Sequence, residues 1–422
     1  MTKITIVLVL GLPSLMTTFL LWRARNQTQS AAEEVENAVA QDPLLQWSTT
    51  QDVKDAIHEQ TRAKAVGRAS FNLTDQAMDT NQLIGQVGGL SDHKKCFLRF
   101  GSHFVLKPLR TDRRGMKEIA FYEAVTKAIE TKNQDDIINI TSTKLGFLDR
   151  FGIWFSVRVI QDPYVVDSER RIQRLMCLLM NHAKLFQTVH PFLPAYFGVT
   201  SHKMTLQSSF EGNATTLLKK EGFDDCYLIL ENVTKKFTEP CIIDVKMGTQ
   251  SYEPEAKEDK RQREIKKYPS QAKFGLRIVG MRIYNPLHEE SCENGFVFFP
   301  KHFGRSLLTS WKLKDAFKTF FSSRSTGVDK EVICNVLSQL RAIEQWFVKN
   351  DSICFCASSL LIAFEGGDDS VERENKPIVK MIDFARVRKQ TGGDLGYLLG
   401  LKTLIELFTE ILDEEASIIK EI

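Results

Sequence analysis

Residues 239–255 read EPCIIDVKMGTQSYEPE. Asp244 and Lys246 stand two positions apart on an apolar run that ends at Gly248. Side chains on a strand alternate with period two, so this spacing predicts a carboxylate and an ammonium on one face. Such a face can hold a ribose or a substrate hydroxyl through the acid and meet a phosphoryl group through the lysine. Gly248 lets the chain turn tightly or lets a ligand approach the backbone.

Just downstream, KEDKRQREIKKYP (257–269) places Lys260, Arg263 and Lys267 at spacings of three and four, on one face of a helix. Taken alone, the helix is a solvated amphipathic face balanced by Glu258, Asp259 and Glu264. Beside a phosphoryl-transfer strand it reads instead as a claw for a multiply phosphorylated substrate, because Arg and Lys pair strongly with phosphate.

Upstream, KCFLRFGSHFVLKPL (95–109) alternates around Gly101 and Ser102 as a hairpin, and GMKEIAFYEAVTKAI (115–129) continues with helical spacing. Lys107 at the strand end and Glu118 on the helix form an arrangement in which an ion pair holds a lysine against nucleotide phosphates. A strand lysine by itself more often snorkels at the surface. DCYLILENV (225–233) and EPCIIDVKMG (239–248) read as two apolar strands separated by a short turn, and the polar tip of the first offers a backbone edge to an adenine. In VKMIDFARV, Asp383 is enclosed by apolar neighbours. A buried carboxylate must be paired, protonated or bound to metal. A divalent cation on triphosphate oxygens is the natural partner, and a helix cap or an internal salt bridge is the alternative.

The remaining pattern predicts helices at 255–268, 304–321, 328–349 and 395–413, with strands in SICFCASSLLIAFEG (352–366) and PIVKMIDFARV (377–387). The fold class is α+β, a small sheet-rich lobe followed by a larger mixed lobe.

Composition bounds the partners. The chain has 422 residues, 43% of them apolar and 26% charged, enough for one large or two medium domains. A net charge of +3 gives no bulk attraction to nucleic acid, and no nucleic acid binding is expected. Eight cysteines without a CxxC pair point to a reduced compartment and to buried thiols acting as small hydrophobes. ITIVLVLGLPSLMTTFLLW (4–22) is uncharged and long enough to span a membrane. It is an anchor or signal, or an apolar extension that does not insert. Residues 26–82 form a polar tether or a solvated helix.

PCIIDVKMG is a PxxxDxKxG sequence, and with ASSLL (357–361) and MIDFA (381–385) it resembles the inositol polyphosphate kinase family. The same order holds for QVGG (86–89), VLKPL (105–109), EIAFYE (118–123), LENVT (230–234), KYP (267–269), GMRIY (280–284) and GRSL (304–307), so the resemblance covers about residues 82–415. The wording of DVKMGTQSYEP and KYP is similar to the multikinase branch.

The resemblance implies a two-lobed fold related to protein kinases, with ATP between the lobes. It implies that Lys107 binds ATP phosphates and pairs with Glu118, that Glu231 and Val233 contact adenine through the backbone, and that Asp244 holds the ribose. Lys246 would meet the transferred phosphate and the substrate, Asp383 would bind Mg²⁺ with Ser359 near it, and Lys260, Arg263 and Lys267 would line the inositol phosphate site.

The implied activity is Mg-assisted, in-line phosphorylation of soluble inositol tris- and tetrakisphosphates by a monomer of the cytoplasm or nucleus. The other readings are a phosphoinositide lipid kinase placed at a membrane by residues 4–22, and a weakly active scaffold that binds inositol phosphates. The implied layout is an apolar segment (1–25), a linker (26–82), an N-lobe (83–235) with an inserted stretch near 126–189, and a C-lobe (236–422). Three departures stand out: Arg386 where relatives usually carry His, Asn232 where Asp is frequent, and Arg263-Glu264 where multikinases commonly have Gln.

Overall fold

The computed structural model describes residues 97–110, 113–130, 183–201, 226–288, 294–322, 327–367 and 375–421. The segments 4–22, 26–82 and 86–89 and most of the expected insert near 126–189 lie outside the described residues. Among the described residues no helix is long and apolar enough to cross a membrane.

The alternation around Gly101 forms the expected hairpin, β1 (Leu98–Phe100) and β2 (Phe104–Pro108). The helix expected after it is α1 (Arg113–Glu130). It is followed among the described residues by α2 (Ala183–Val189), whose Phe186 packs edge-on against Phe121 with ring centroids 6.0 Å apart. Strands β3 (Tyr196–Ser201) and β4 (Cys226–Glu231) complete an antiparallel sheet in the order β1-β2-β4-β3.

The quoted stretch becomes β5 (Pro240–Met247), the middle strand of a second antiparallel sheet. Cys241, Ile243, Val245 and Met247 are fully buried, which a central strand covered by helices requires. Chain order then runs through α3 (Glu258–Lys267), α4 (Gln271–Phe274), β6 (Leu276–Tyr284), β7 (Phe296–Phe299), α5 (Lys301–Ser306), α6 (Ser310–Phe321) and α7 (Lys330–Lys349). It ends with β8 (Ile353–Phe355), β9 (Ser359–Glu365), β10 (Ile378–Ile382), β11 (Val387–Lys389) and α8 (Leu395–Glu421). The sheet order is β10-β9-β5-β6-β7, and β8 pairs separately with β11. Phe320 and Phe321 of α6, Phe364 of β9 and Phe408 of α8 meet in the core with centroids 5.0 to 6.0 Å apart.

The structure refines the sequence reading in one place and corrects it in three. Strands β4 and β5 are not neighbours; the turn between them carries the chain from one sheet to the other. Asn232 fixes its start: its Oδ1 accepts from Thr234 N at 3.2 Å and its Nδ2 donates to Ser102 O at 2.9 Å, a donation that Asp could not make. The helix expected at 304–321 is two helices, α5 and α6, broken where the Leu307 carbonyl accepts Tyr268 Oη at 2.5 Å. The helix expected at 255–268 is shorter, Glu258–Lys267, because Tyr268 turns inward to make that bond. Finally, Leu276–Tyr284 is a strand that the pattern did not reveal.

One close approach fixes β5 against α8. Gly248 N donates to Gly275 O at 2.8 Å, and Gly275 has φ +65. A Cβ on Gly400 would overlap that same Gly275 carbonyl and come within 2.9 Å of Met247 Cε. The lack of side chains lets the helix and the strand end touch.

Candidate active site

Lys107 leaves β2 and donates to Glu118 Oε1 of α1 at 2.7 Å and to Asp383 Oδ1. Glu118 Oε1 also accepts from Phe384 N at 3.2 Å, so one carboxylate ties the hairpin, the helix and the MIDFA segment together. Asp383 sits in the left-handed region at φ +66, directly after β10. That reversal drives Phe384 into a buried aromatic cluster, stacked on Phe121 with centroids 4.3 Å apart and edge-on to Tyr122 and Phe355. The same reversal leaves the Asp383 side chain 39% exposed, whereas Glu118 is 4% exposed. The apolar neighbours of Asp383 in sequence are therefore not a full enclosure. They bury themselves and turn the carboxylate toward solvent.

Charge follows the geometry. Desolvation lowers the Lys107 affinity for its proton, but Asp383 and Glu118 outweigh it and hold the ammonium firmly charged. Desolvation also pushes the Asp383 carboxyl up, and Lys107 with Lys246 more than reverses this. For Glu118 burial wins, and its proton affinity is raised despite Lys107.

On β5, Lys246 Nζ donates to Ala357 O at 2.8 Å, and Ala357 itself has φ +56. Ser359 lies opposite Lys246 in the β5–β9 register and opposite Ile382 in the β9–β10 register, one residue from Asp383. Burial pushes the Asp244 carboxyl up to about 6, against the opposing pull of Lys246. Asp244 and Ser359 are both buried, and the Ser359 hydroxyl is close enough to pull the Asp244 carboxyl back down against burial. The predicted Lys107, Glu118, Asp383, Asp244, Lys246 and Ser359 thus fall into one electrostatically linked group.

The donor set suits a hard cation. Among the described residues no three His, Cys, Asp or Glu side chains gather into a cage. Asp383, open to solvent, with the Ser359 hydroxyl nearby, matches a cation that takes one or two protein oxygens and completes its shell with phosphate and water.

Glu231 and Val233 lie at the far end of β4. Glu231 N donates to Ala195 O at 2.9 Å, and Ala195 N donates back to Glu231 Oε2 at 3.3 Å. The Glu231 N–H is therefore committed within the protein, and Val233 follows half-buried in the turn between the sheets.

The cationic helix is only partly directed at this group. Lys260 is half-buried and close enough to Glu253 to lower its carboxyl, together with Lys117, which reaches Glu253 at 2.9 Å. Arg263 Nε donates to Asp259 O at 3.2 Å and Lys267 pairs with Glu264 at 2.6 Å, both along their own exposed helix.

Sequence reasoning missed Arg277. It lies opposite Lys246 in the β5–β6 register, is 8% exposed, and has Nη1 buried without a partner. Desolvation and the charge of Arg305 weaken its hold on its proton, and Glu264 and Asp244 oppose them. Arg386, which donates to Ser251 O at 2.6 Å, adds another cation near Lys246. The visible signal for Arg277 was an arginine inside the apolar run LRIVG, a residue type that is seldom buried without a ligand or partner.

Residues 227–409 match the family model described as inositol polyphosphate kinase. Human inositol polyphosphate multikinase is 39% identical over 143 residues, 34% of this chain and 33% of its own length. Human inositol hexakisphosphate kinase 2 is 28% identical over 228 residues, 44% of this chain and 52% of its own. The chain thus spans about a third to a half of the length of these relatives. A solved structure of inositol phosphate multikinase Ipk2 from S. cerevisiae, in complex with ADP and Mn²⁺, aligns with 52% of this chain and 89% of its own at 24% identity and a TM-score of 0.42.

Proposed function

We propose, from the match of residues 227–409 to the family model described as inositol polyphosphate kinase, that this protein transfers the terminal phosphoryl group of ATP to a hydroxyl of an inositol polyphosphate, in the manner of a multikinase. The observation that carries the proposal is the joining of Lys107, Glu118 and Asp383 to Asp244 and Lys246 in one charged group, with the buried Arg277, whose Nη1 lacks a partner, beside it. The first three suit nucleotide phosphates, and the cations around Lys246 suit a second, phosphorylated molecule.

In this reading Lys107 holds the ATP phosphates and Glu118 keeps it aimed. Asp244 meets the ribose, and Lys246 neutralises charge on the phosphoryl group as it moves. Catalysis is then positioning and electrostatic stabilisation without a covalent intermediate. Mg²⁺ at Asp383, with Ser359 beside it, would supply further neutralisation of the phosphate oxygens. Arg277 of β6, whose Nη1 has no partner, and Lys260 take substrate phosphates first; Arg263 and Lys267 must let go of Asp259 and Glu264 along α3 to join them.

The intact protein incubated with Mg·ATP and a panel of inositol tris-, tetrakis- and pentakisphosphates should yield more highly phosphorylated products, resolved by charge and regiochemistry. No product from any of them would overturn the proposal. Removing a substrate cation separates the two binding functions. Lys260→Ala, Arg263→Ala and Lys267→Ala should each lower kcat/KM for the inositol phosphate by roughly one to two decades, the worth of a charge-assisted phosphate contact of about 1.5–3 kcal/mol, while KM for ATP stays nearly constant. Lys107→Ala should instead impair ATP use. Unchanged kinetics in all three α3 variants would reduce that helix to a solvated face.

A further inference from the structure

Three large apolar side chains stand exposed on α3, on α6 and on the link before α6. Ile265 of α3 is 43% exposed, Leu308 is 48% exposed and Trp311 of α6 is 63% exposed. The segment after α3 is stitched to the segment before α6 by Tyr268 Oη donating to Leu307 O at 2.5 Å and Ser270 Oγ donating to Leu308 O at 3.0 Å. Leu307 is buried by this arrangement and Leu308 is turned outward.

Single exposed apolar residues are ordinary, but these three are framed by positive charge. Residues 300–313 carry Lys301, Arg305 and Lys312 and no Asp or Glu, while the adjacent Lys314 is paired with Glu410 and Glu414 of α8. The Lys312 ammonium lies 5.5 Å from the Trp311 ring centroid, and Arg305 of α5 and Lys266 of α3 are exposed. A protein partner would favour aromatic residues but disfavour the lysines. A tryptophan with leucine and isoleucine among lysines and arginines is instead the composition that enters the headgroup region of an anionic bilayer.

We infer that the face formed by Ile265, Leu308, Trp311, Lys312, Arg305 and Lys266 docks on an anionic lipid surface. Docking brings α3 and α5 to the membrane. Their Glu264 and Arg305 flank Arg277, so the phosphate-binding side of the site is held near the bilayer. The inference goes beyond the proposed chemistry, and its readout involves no turnover.

The test uses the intact chain with vesicles of brominated phosphatidylcholine, with and without phosphatidylserine, and reads tryptophan fluorescence in the wild type and in Trp311→Phe. Four other tryptophans remain in the variant, so the difference between the two proteins isolates Trp311 from any insertion of residues 4–22. Bromine quenching of the Trp311 component should occur with phosphatidylserine present and fade as salt rises. Lys312→Gln should weaken that quenching midpoint roughly fivefold, the contribution of one basic residue at such a surface. Equal fractional quenching of wild type and Trp311→Phe would overturn the inference, as would quenching indifferent to phosphatidylserine. A concentration-dependent dimer abolished by Trp311→Phe, without vesicle quenching, would assign the face to a second copy and equally overturn it.

Discussion

Asp383→Asn should lower kcat by about a thousandfold or more while leaving the protein folded. The carboxylate is the most exposed member of the Lys107 ion-pair group, and two ammonium groups hold it ionised. Asn keeps its shape and removes a hard anionic ligand along with half of the charge that positions Lys107. It is also the right replacement for the backbone: Asp383 lies at φ +66, and Asn tolerates that region better than other side chains, so Phe384 can stay stacked on Phe121. Lys107 retains Glu118 at 2.7 Å, which prevents an uncompensated buried charge. Steady-state kinetics at saturating ATP, with circular dichroism and thermal melting as the fold control, measure both halves. Near-normal turnover at physiological Mg²⁺ would remove Asp383 from the metal site.

Asp244→Asn should have two opposite effects. kcat/KM for ATP should drop by about a hundredfold or more, because an anion facing the nucleotide is lost. The fold should become more stable at neutral pH. Burial lifts the Asp244 carboxyl from 3.8 to about 6. The folded chain therefore holds this proton more tightly than the unfolded chain, and stability falls as pH rises from about 4 to about 6. Above that range the cost is fully present, roughly 2–3 kcal/mol, since each tenfold gain in proton affinity is worth about 1.4 kcal/mol. Asn has no charge to desolvate, so its melting temperature should exceed that of the wild type at pH 7.5, and the gain should shrink toward pH 4. In the wild type, kcat/KM for ATP should decline as pH falls through about 6 and Asp244 takes up its proton. A variant less stable than wild type at pH 7.5 would mean that attraction to Lys246 outweighs desolvation.

The chemistry of the site was more legible in the sequence than its architecture. Asp244 and Lys246 could be paired because a two-residue spacing has one meaning on a strand, and Lys107 and Glu118 could be paired because a hairpin feeding a helix leaves few ways to face each other. Residues 276–284 were not legible: LRIVGMRIY is apolar on both faces as a strand between two others, so it lacks alternation, and its arginines disguised it further. Arg277 became recognisable only when the register set it opposite Lys246. The left-handed turns at Ala357 and Asp383 were hidden for another reason: neither residue is glycine, and tertiary contacts impose the conformation. The turn that separates β4 from β5 is tied by the Asn232 side chain to the Ser102 carbonyl in the β1–β2 turn, far away in sequence.

The contact between Gly275 and Gly400 gives the long C-terminal helix a bearing on turnover that its composition conceals. The helix carries none of the phosphate-directed side chains, yet it rests on the carbonyl that anchors Gly248, two residues after Lys246. One methyl group at position 400 would act as a wedge, and the rigid helix would push on the strand end without itself unravelling. Inherited variation at this glycine, on a helix without phosphate-directed side chains, would then surface as a misaligned lysine, a defect that surveys confined to ligand-contacting residues would overlook.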